Sequence, residues 1–380
     1  MTIREITDES GKTFNLAILG DYLAIAPIAE VVEDAIDTFQ GKSVSLGEKA
    51  TETLQRNTGV ENAIATIFIP NYSQLITEFA DDLPENQNLP NTSLQEFEQI
   101  DSMVMGIGVD DGGVRLRAVT KLVSPLPPNL IKPASDKILQ RFPAETMMLL
   151  SGIGISEIWS QLVTQARVNQ SLQDALGMVR QTFEEVGLDA DREVFSWMDG
   201  EFALGLIRSN QGILATTGVG GAMVFETSDR SAAEATLKKL NQMVSKNKGV
   251  TVKEKQMGEQ SVTEWQMVGL GEFFGYGWLD DNVLFVAVGK PLIEAMMSMP
   301  EDGLIDSESF EEIVGSLPKS NQGYFYLDME QAMAWVDRYP FVNLLMPRDV
   351  KAILDSIRGI GVTGSWLDEL TNEMEMLLAL

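Results

Sequence analysis

The sequence contains neither histidine nor cysteine. Without cysteine the chain forms no disulfide bond and offers no thiolate nucleophile, and without both residue types it has no zinc site of the cysteine–histidine kind. Without histidine it has no imidazole base, so serine–histidine–aspartate and cysteine–histidine catalysis are excluded. The lack of cysteine fits an oxidising and a reducing compartment equally well.

Basic residues are also few, and long apolar runs are missing. The 380 residues include 28 lysines and arginines against 56 aspartates and glutamates, which gives a net charge of −28. A surface this acidic repels phosphate backbones, so we expect no nucleic-acid binding, and its simplest role is solubility. No apolar run reaches the roughly 18 residues that span a bilayer. The first residues lack the basic start and apolar block of a signal peptide.

One pattern of elements occurs twice and predicts the fold. Residues 16–79 read as strand, turn, strand, helix, strand and helix, and residues 276–337 read in the same way. Further along, Met105-Gly106-Ile107-Gly108-Val109 matches Arg358-Gly359-Ile360-Gly361-Val362, with four identical residues in one register. The sequence therefore predicts an α+β protein with tandem-duplicated antiparallel β-sheets and helices packed on one face.

The repeat also predicts the domain boundaries. A proline-rich linker over 124–142 separates residues 1–123, the second half of repeat copy one, from a complete copy two over 143–380. Copy two divides into a first half, 143–249, and a second half, 250–380. Since the chain then begins in the middle of a repeat, we expect a longer parent protein with a further half of the 143–249 kind upstream of Met1.

Two motifs resemble those of known enzymes, and a structural interpretation is favoured for each. Ser316 and Lys319 match a Ser-x-x-Lys pattern, but they are predicted to end a helix and their partner motifs are missing. The glycines of 218–221 and 269–271 do not form a phosphate-binding or dinucleotide-binding loop, so we expect bulges and strand corners there.

Two acidic groups have spacings that suggest a cation site. Asp189, Asp191 and Glu193 alternate as calcium ligands do, but Val194 stands where the loop requires glycine, so helix capping is favoured. Asp110-Asp111 is predicted to form a turn, although paired carboxylates could hold a weakly bound cation. We therefore assign no catalytic residue, no metal ligand and no cofactor.

Three further groups of residues have structural interpretations. The favoured interpretation of the basic cluster is structural, because cations are stabilised near the C-terminus of a helix. The alternative is a docking surface for an acidic partner or anionic lipid. The members of the basic cluster are Lys238, Lys239, Lys246, Lys248, Lys253 and Lys255. Trp159, Trp197 and Trp335 are predicted to pack in the core. The core is also predicted to contain flexible methionine side chains that fill its gaps, namely Met296, Met297 and Met299.

Two segments carry a resemblance to a known family. One is Leu188-Asp189-Ala190-Asp191 followed by Phe195-Ser196-Trp197-Met198-Asp199-Gly200-Glu201-Phe202-Ala203-Leu204, and the other is Leu19–Ala26 together with its copy. Over most of its length the chain resembles the cyanobacterial domain-of-unknown-function family 3352. The resemblance implies a duplicated ectodomain outside the cytoplasm, behind an N-terminal membrane anchor. It implies no activity and no catalytic residues.

Two functions are considered from these observations. The first is a non-enzymatic binding or scaffold protein, membrane-associated in the periplasm or thylakoid lumen, with a sheet–helix groove for a partner protein or an apolar ligand. The chain itself leaves the cytoplasm open as an alternative location. The second is a hydrolase that uses carboxylates alone, as glycosidases do. Such an enzyme requires a deep cleft with two facing carboxylates, one of raised pKa.

Overall fold

A computed structural model describes residues 1–8, 11–45, 60, 62–72, 74–75, 99–110, 112–126, 131–167, 169–258, 260–339 and 346–380. The chain divides into two compact units, Met1–Asn57 and Thr58–Leu380. Each unit is described by itself below.

In its described residues, the first unit is a three-stranded antiparallel meander with one helix. Its strands are β1 (Arg4–Thr7), β2 (Thr13–Leu19) and β3 (Tyr22–Ala26), and its helix is α1 (Ala29–Phe39). Gly20 turns the chain between β2 and β3 with a positive φ of 67°, which glycine adopts without strain. The core consists of apolar residues from β2, β3 and α1, namely Ala17, Leu19, Ala26, Val32 and Ile36. The predicted strand–turn–strand at the start of 16–79 is confirmed by β2 and β3, whereas a further helix that the sequence predicts over 46–56 lies outside the described residues.

The second unit contains one large antiparallel sheet. Its strands in chain order are β4 (Ala63–Ile69), β5 (Ile100–Asp110), β6 (Gly113–Leu122), β7 (Thr146–Ile153), β8 (Glu201–Arg208), β9 (Val219–Glu226), β10 (Val250–Met257), β11 (Gln260–Met267), β12 (Gly271–Trp278), β13 (Val283–Val288), β14 (Tyr324–Asp328), β15 (Gly359–Asp368) and β16 (Thr371–Ala379). Their spatial order is β10-β11-β12-β13-β9-β8-β7-β14-β15-β16-β6-β5-β4.

The helices of this unit alternate with the strands along the chain. They are α2 (Ile155–Gln165), α3 (Gln170–Glu185), α4 (Leu214–Thr217), α5 (Arg230–Val244), α6 (Lys290–Met297), α7 (Glu308–Val314), α8 (Met329–Val336) and α9 (Arg348–Asp355). A π-helical turn, Ala190–Val194, and two 3-10 turns, Ile138–Arg141 and Leu304–Asp306, complete the set. The predicted α+β class with antiparallel sheets is confirmed. No described helix is long and apolar enough to cross a membrane.

Helices cover both faces of the sheet around β13. Phe285 packs in one core with Ile293 of α6, on the face that α7 also covers, which we call the α7 face. Its neighbour Leu284 points to the opposite face and packs with Ala233 and Leu237 of α5. The prediction placed helices on one face only. The difference arises because β13 is apolar at every position, and a strand that is apolar on both faces is stable only when both are covered.

In the described residues, the two matched regions share part of their order of elements. Strands β4-β5-β6 form an antiparallel meander, as β14-β15-β16 do, and the hairpins β2-β3 and β12-β13 are each followed by a helix. The identical residues lie in the middle strand of each meander, but at different positions along that strand. Val109 pairs next to the β5–β6 turn, whereas Gly359 begins β15. The duplication and the predicted domain boundaries stay predictions. Within the predicted linker, Ile138 and Leu139 lie in the core of the second unit.

Candidate functional site

Five neighbouring strands of the large sheet carry apolar side chains on the face opposite to the α7 face. Directly paired residues of antiparallel strands share a face, so Met105, Ala118 and Met374 form one row across β5, β6 and β16. The parallel row is Ile107, Leu116 and Met376. We call the whole set the methionine-rich face. It comprises Ile67, Ile69, Met103, Met105, Ile107, Leu116, Ala118, Met374, Met376, Leu378, Ile360 and Val362.

The methionine-rich face is open to solvent among the described residues. Met374 is 43% exposed and Ile67 is 51% exposed, and most other members are half-buried. No described helix packs extensively against β4, β5 or β6. Strand spacing makes the face about 19 Å wide, and the residue spacing along the strands makes it about 20 Å long. Contiguous apolar patches of more than a few hundred Å² mark interaction sites in soluble proteins.

The α7 face of the same strands is buried and charged. Arg115 Nε lies 2.6 Å from Asp110 Oδ2, and Arg117 Nη2 lies 2.7 Å from Glu373 Oε2. Arg115 also pairs with Glu375 through Nη1. Burial by itself raises the pKa of Asp110, but hydrogen bonds from Arg115 and the Gly112 backbone outweigh it and lower that pKa. The pairs of Arg115 with Glu375 and of Arg117 with Glu373 join β6 to β16, and the pair of Arg115 with Asp110 joins β6 to β5, so these charges link neighbouring strands of the sheet.

The carboxylates of Asp136 and Glu201 form a second candidate site. Burial, and then the charge of Glu201, raises the pKa of Asp136, while Lys319 acts in the opposite direction. Glu201 accepts hydrogen bonds from the backbone N–H and the hydroxyl of Ser135, at 2.5 and 3.0 Å. A cleft of about 660 Å³ adjoins Glu201 and is also lined by Glu226. One carboxylate of raised pKa beside another, near a cleft, is part of what a carboxylate hydrolase requires.

The Ser-x-x-Lys pair is predicted from the sequence to end a helix, but it lies just beyond one. Helix α7 ends at Val314, two residues before Ser316. The Ser316 hydroxyl accepts a hydrogen bond of 2.8 Å from Arg115 Nη2. The charge of Lys319 acts on Asp136 rather than on Ser316. Ser316 therefore binds Arg115, whereas the charge of Lys319 acts to lower the pKa of Asp136.

The three carboxylates with calcium-like spacing, Asp189, Asp191 and Glu193, are bound by cations and backbone amides. Asp189 accepts a hydrogen bond from a first-turn backbone N–H at 3.0 Å, so the predicted helix cap is confirmed. Asp191 pairs with Arg180 at 3.0 Å. Lys239 binds Glu193 and lowers its pKa. Among the described residues, no group of three or more candidate ligands is arranged to hold a metal ion. Asp111 of the other acidic pair lies outside the described residues.

The basic cluster is divided between two elements. Lys238 and Lys239 belong to α5, and Lys246 and Lys248 follow its last residues. Lys253 and Lys255 lie on β10. The predicted glycine corners fit the backbone: Gly218 caps α4 with a positive φ of 70°, and Gly269 turns the chain between β11 and β12.

The predicted core residues are confirmed except for two. Trp159 and Trp197 are buried, and Met296 is fully buried against α7 and the sheet. Trp335 is only half-buried, because its indole N–H reaches out of α8 to the Thr217 carbonyl at 2.7 Å. Met299 is 55% exposed, because α6 ends at Met297 and the helical periodicity stops there.

Sequence reasoning missed the methionine-rich face and the carboxylate pair. The signal for the face is the strict alternation in β16, where Glu373 and Glu375 interleave with Met374 and Met376. That alternation identifies two faces without telling which one is buried. For Asp136 and Glu201 the sequence gives no signal, because the pair joins segments 65 residues apart.

The fold and the open face define an α+β protein with a large, partly uncovered antiparallel sheet. The chain belongs to the family described as "Protein of unknown function (DUF3352)", because the sequence profile of that family matches residues 1–380. No curated protein matches the chain.

Among solved structures, crystal forms of TP0453 are similar to parts of this chain. Form IV is 12% identical and covers 62% of this chain and 76% of its own, with a TM-score of 0.29. Form III is 11% identical, with coverages of 64% and 80% and a TM-score of 0.30. Form I is 10% identical, with coverages of 62% and 74% and a TM-score of 0.28. Similarities this distant support no statement about function.

Proposed function

We propose that this chain is a non-enzymatic binding or scaffold protein, and that an amphipathic helix of a partner protein docks on the methionine-rich face. The observation that carries the proposal is the exposure of this apolar face, with Met374 at 43%. Unbranched methionine side chains adapt to different partner surfaces, which suits a docking face. Burying such a face stabilises a complex in proportion to the apolar area removed from water.

The choice of a helix rests on the continuity of the sheet face. The pairings from Met376 through Val362, Phe325 and Leu150 place Leu284 on the same face. There Leu284 is covered by the amphipathic helix α5. The same apolar face therefore has a helix over one end and, among the described residues, none over the other. A partner helix with apolar residues at i, i+3, i+4 and i+7 would cover the remainder in the same way.

The charge of the chain favours a basic partner. At a net charge of −28, the chain attracts positively charged proteins and speeds their association at low ionic strength. We therefore expect the docking helix to have lysine or arginine on its solvent-facing side.

Site-specific crosslinking tests the proposal. A photoreactive amino acid replaces Met374 in one sample and, as a control, Val268 in another, because Val268 is 84% exposed on the β11–β12 turn. Crosslinked peptides from a native membrane extract are identified by mass spectrometry. The proposal expects one amphipathic helical segment at position 374 and none at 268, with the capture lost in Met376→Lys. Crosslinks to lipid, or equal labelling at both positions, would contradict it.

The extracytoplasmic, membrane-associated location is part of the same proposal. It is supported by membership of a family whose resemblance implies a membrane anchor ahead of the ectodomain. Cell fractionation with protease protection tests it. We expect the native protein in the membrane fraction on the periplasmic or lumenal side, and recovery in the cytoplasmic fraction would refute the location.

A second candidate function is a carboxylate-only hydrolase at Asp136 and Glu201. The specific observation in its favour is the raised pKa of Asp136 beside the Glu201 carboxylate and its cleft. Assays on aryl glycosides test it with the wild-type chain, Asp136→Asn and Glu201→Gln. Hydrolysis that both substitutions abolish would establish the enzyme, whereas hydrolysis that survives both would exclude these residues.

A further inference from the structure

Strand β4 ends the large sheet, among the described residues, with one irregularity at its start and without the charge or proline that blocks many edge strands. Its sequence, Ala-Ile-Ala-Thr-Ile-Phe-Ile, contains no charge, proline or glycine. Ile64 is 74% exposed. A register shift between Ala63 and Ala65 leaves 66–69 regularly paired with β5. Edge strands in soluble proteins are usually blocked by charge, proline or a covering element, because an exposed regular edge accepts another strand.

The opposite edge of the same sheet is protected. Strand β10 reads Val-Thr-Val-Lys-Glu-Lys-Gln-Met, and its central residues Lys253, Glu254 and Lys255 are exposed. Three consecutive charges oppose the addition of a further strand. The described sheet therefore has one edge, β10, at which charge opposes the addition of a strand, and one edge, β4, at which no charge does so.

The strand order indicates what fits this edge. Reading outward from the antiparallel pair β16–β6, one side continues as β15, β14 and β7, and the other continues as β5 and β4. Strand β4 therefore has the place that β14 has on the other side. Strand β14 is covered at its outer edge by β7, whereas no described strand covers the outer edge of β4.

We infer that the outer edge of β4 is a strand-addition site for an antiparallel, uncharged strand of the β7 kind, supplied by a second module of the 143–249 kind. Strand β7 reads Thr-Met-Met-Leu-Leu-Ser-Gly-Ile, so it matches β4 in having no charge. In the pair β7–β14, Leu150 lies opposite Phe325 on the face continuous with the methionine-rich face. A β7-like strand beside β4 extends that apolar face by one strand and pairs the outer backbone groups of β4.

The probe for this site is a fluorescent peptide with the sequence of residues 146–153, flanked by lysines for solubility. Anisotropy with the full-length chain measures binding, and hydrogen exchange with mass spectrometry locates it. We expect saturable binding and slower amide exchange in 63–69. Backbone N-methylation of alternate peptide residues, which keeps the side chains and removes hydrogen-bond donors, should abolish both effects.

Matched lysine substitutions separate edge pairing from unspecific apolar contact. Ile64→Lys puts a charge on β4, and we expect binding to weaken by about tenfold or more. Ile18→Lys is the control, since Ile18 is 67% exposed on β2, which is already paired on both sides by β1 and β3, and it should leave the affinity unchanged. Equal binding by the Ile64→Lys variant or by the N-methylated peptide would overturn the inference. So would a stable dimer of the free chain that protects 63–69 and that the peptide does not dissociate.

Discussion

Replacing Arg115 with methionine removes the cation that faces two carboxylates on the α7 face. The Arg115 side chain is 12% exposed and that of Glu375 is 8% exposed, so the lost charge cannot be replaced by bulk water. Asp110 loses its 2.6 Å partner at the same time. Glu375 then keeps only a longer contact of 3.7 Å with Arg117. Removing one partner of a buried ion pair destabilises a protein by about 3–5 kcal/mol, and methionine retains much of the aliphatic packing of arginine. We expect a loss of that size in the pairing of β6 with β16.

Hydrogen exchange is the suitable assay, because a chain with two compact units does not give a single unfolding free energy. A loss of about 3–5 kcal/mol should speed amide exchange in 113–122 and 371–379 by about two to nearly four orders of magnitude. The control is Lys290→Met, which breaks a pair with Glu294 in which both side chains are 46% exposed. It should cost less than about 0.5 kcal/mol.

A double substitution tests the reasoning further. Removing both charges in Arg115→Met with Glu375→Leu should recover part of the loss, because no unpaired charge then remains at that contact. Equal exchange rates in Arg115→Met and Lys290→Met would refute the view that this cluster holds the two strands together.

Three other substitutions have expected outcomes of defined sign. Gly361→Ala would drive its new methyl group against the Ile313 backbone carbonyl and should cost about 1–3 kcal/mol, measured by hydrogen exchange in 359–368, whereas Gly364→Ala, with its nearest neighbour at 3.8 Å, should cost little. Asp136→Asn should stabilise the chain at neutral pH, because the raised pKa of Asp136 means that folding disfavours its ionised form. This gain should vanish as the pH falls through the pKa of Asp136 in the folded state towards its pKa in the unfolded state. A gain that persists at that low pH would contradict the reasoning. Asp110→Asn should destabilise the chain at neutral pH, because the lowered pKa means that folding favours the ionised form. That difference should disappear as the pH falls through the folded pKa, as thermal unfolding against pH can measure.

The elements of the fold are predictable because their signals are local. Alternating apolar residues and turns such as Gly20-Asp21 and Gly112-Gly113 identify hairpins within a dozen residues, and the structure has hairpins at both places. The strand predicted over 64–69 is likewise present as β4. These signals need no knowledge of which distant segment lies alongside.

The candidate site is not predictable because it depends on distant pairing. Alternation in β16 separates Glu373 from Met374, and the usual rule would put the glutamate in water and the methionine in the core. The structure does the reverse, since Glu373 is 2% exposed and Met374 is 43% exposed. The cause is Arg117, which meets Glu373 from a strand more than 250 residues earlier. A sequence pattern cannot place that arginine.

The charges at the β16–β6 seam also determine which strands pair. Strand β6 brings Arg115 and Arg117, and β16 brings Glu373 and Glu375, so the seam joins opposite charges. Two copies of β6 would place arginines together, and two copies of β16 would place glutamates together, and such like-charge contacts oppose pairing of identical strands. The outer edge of β4 has no charge with which to discriminate. Partner choice there must depend on apolar fit and strand direction, so a single charge on β4 should be enough to close the site.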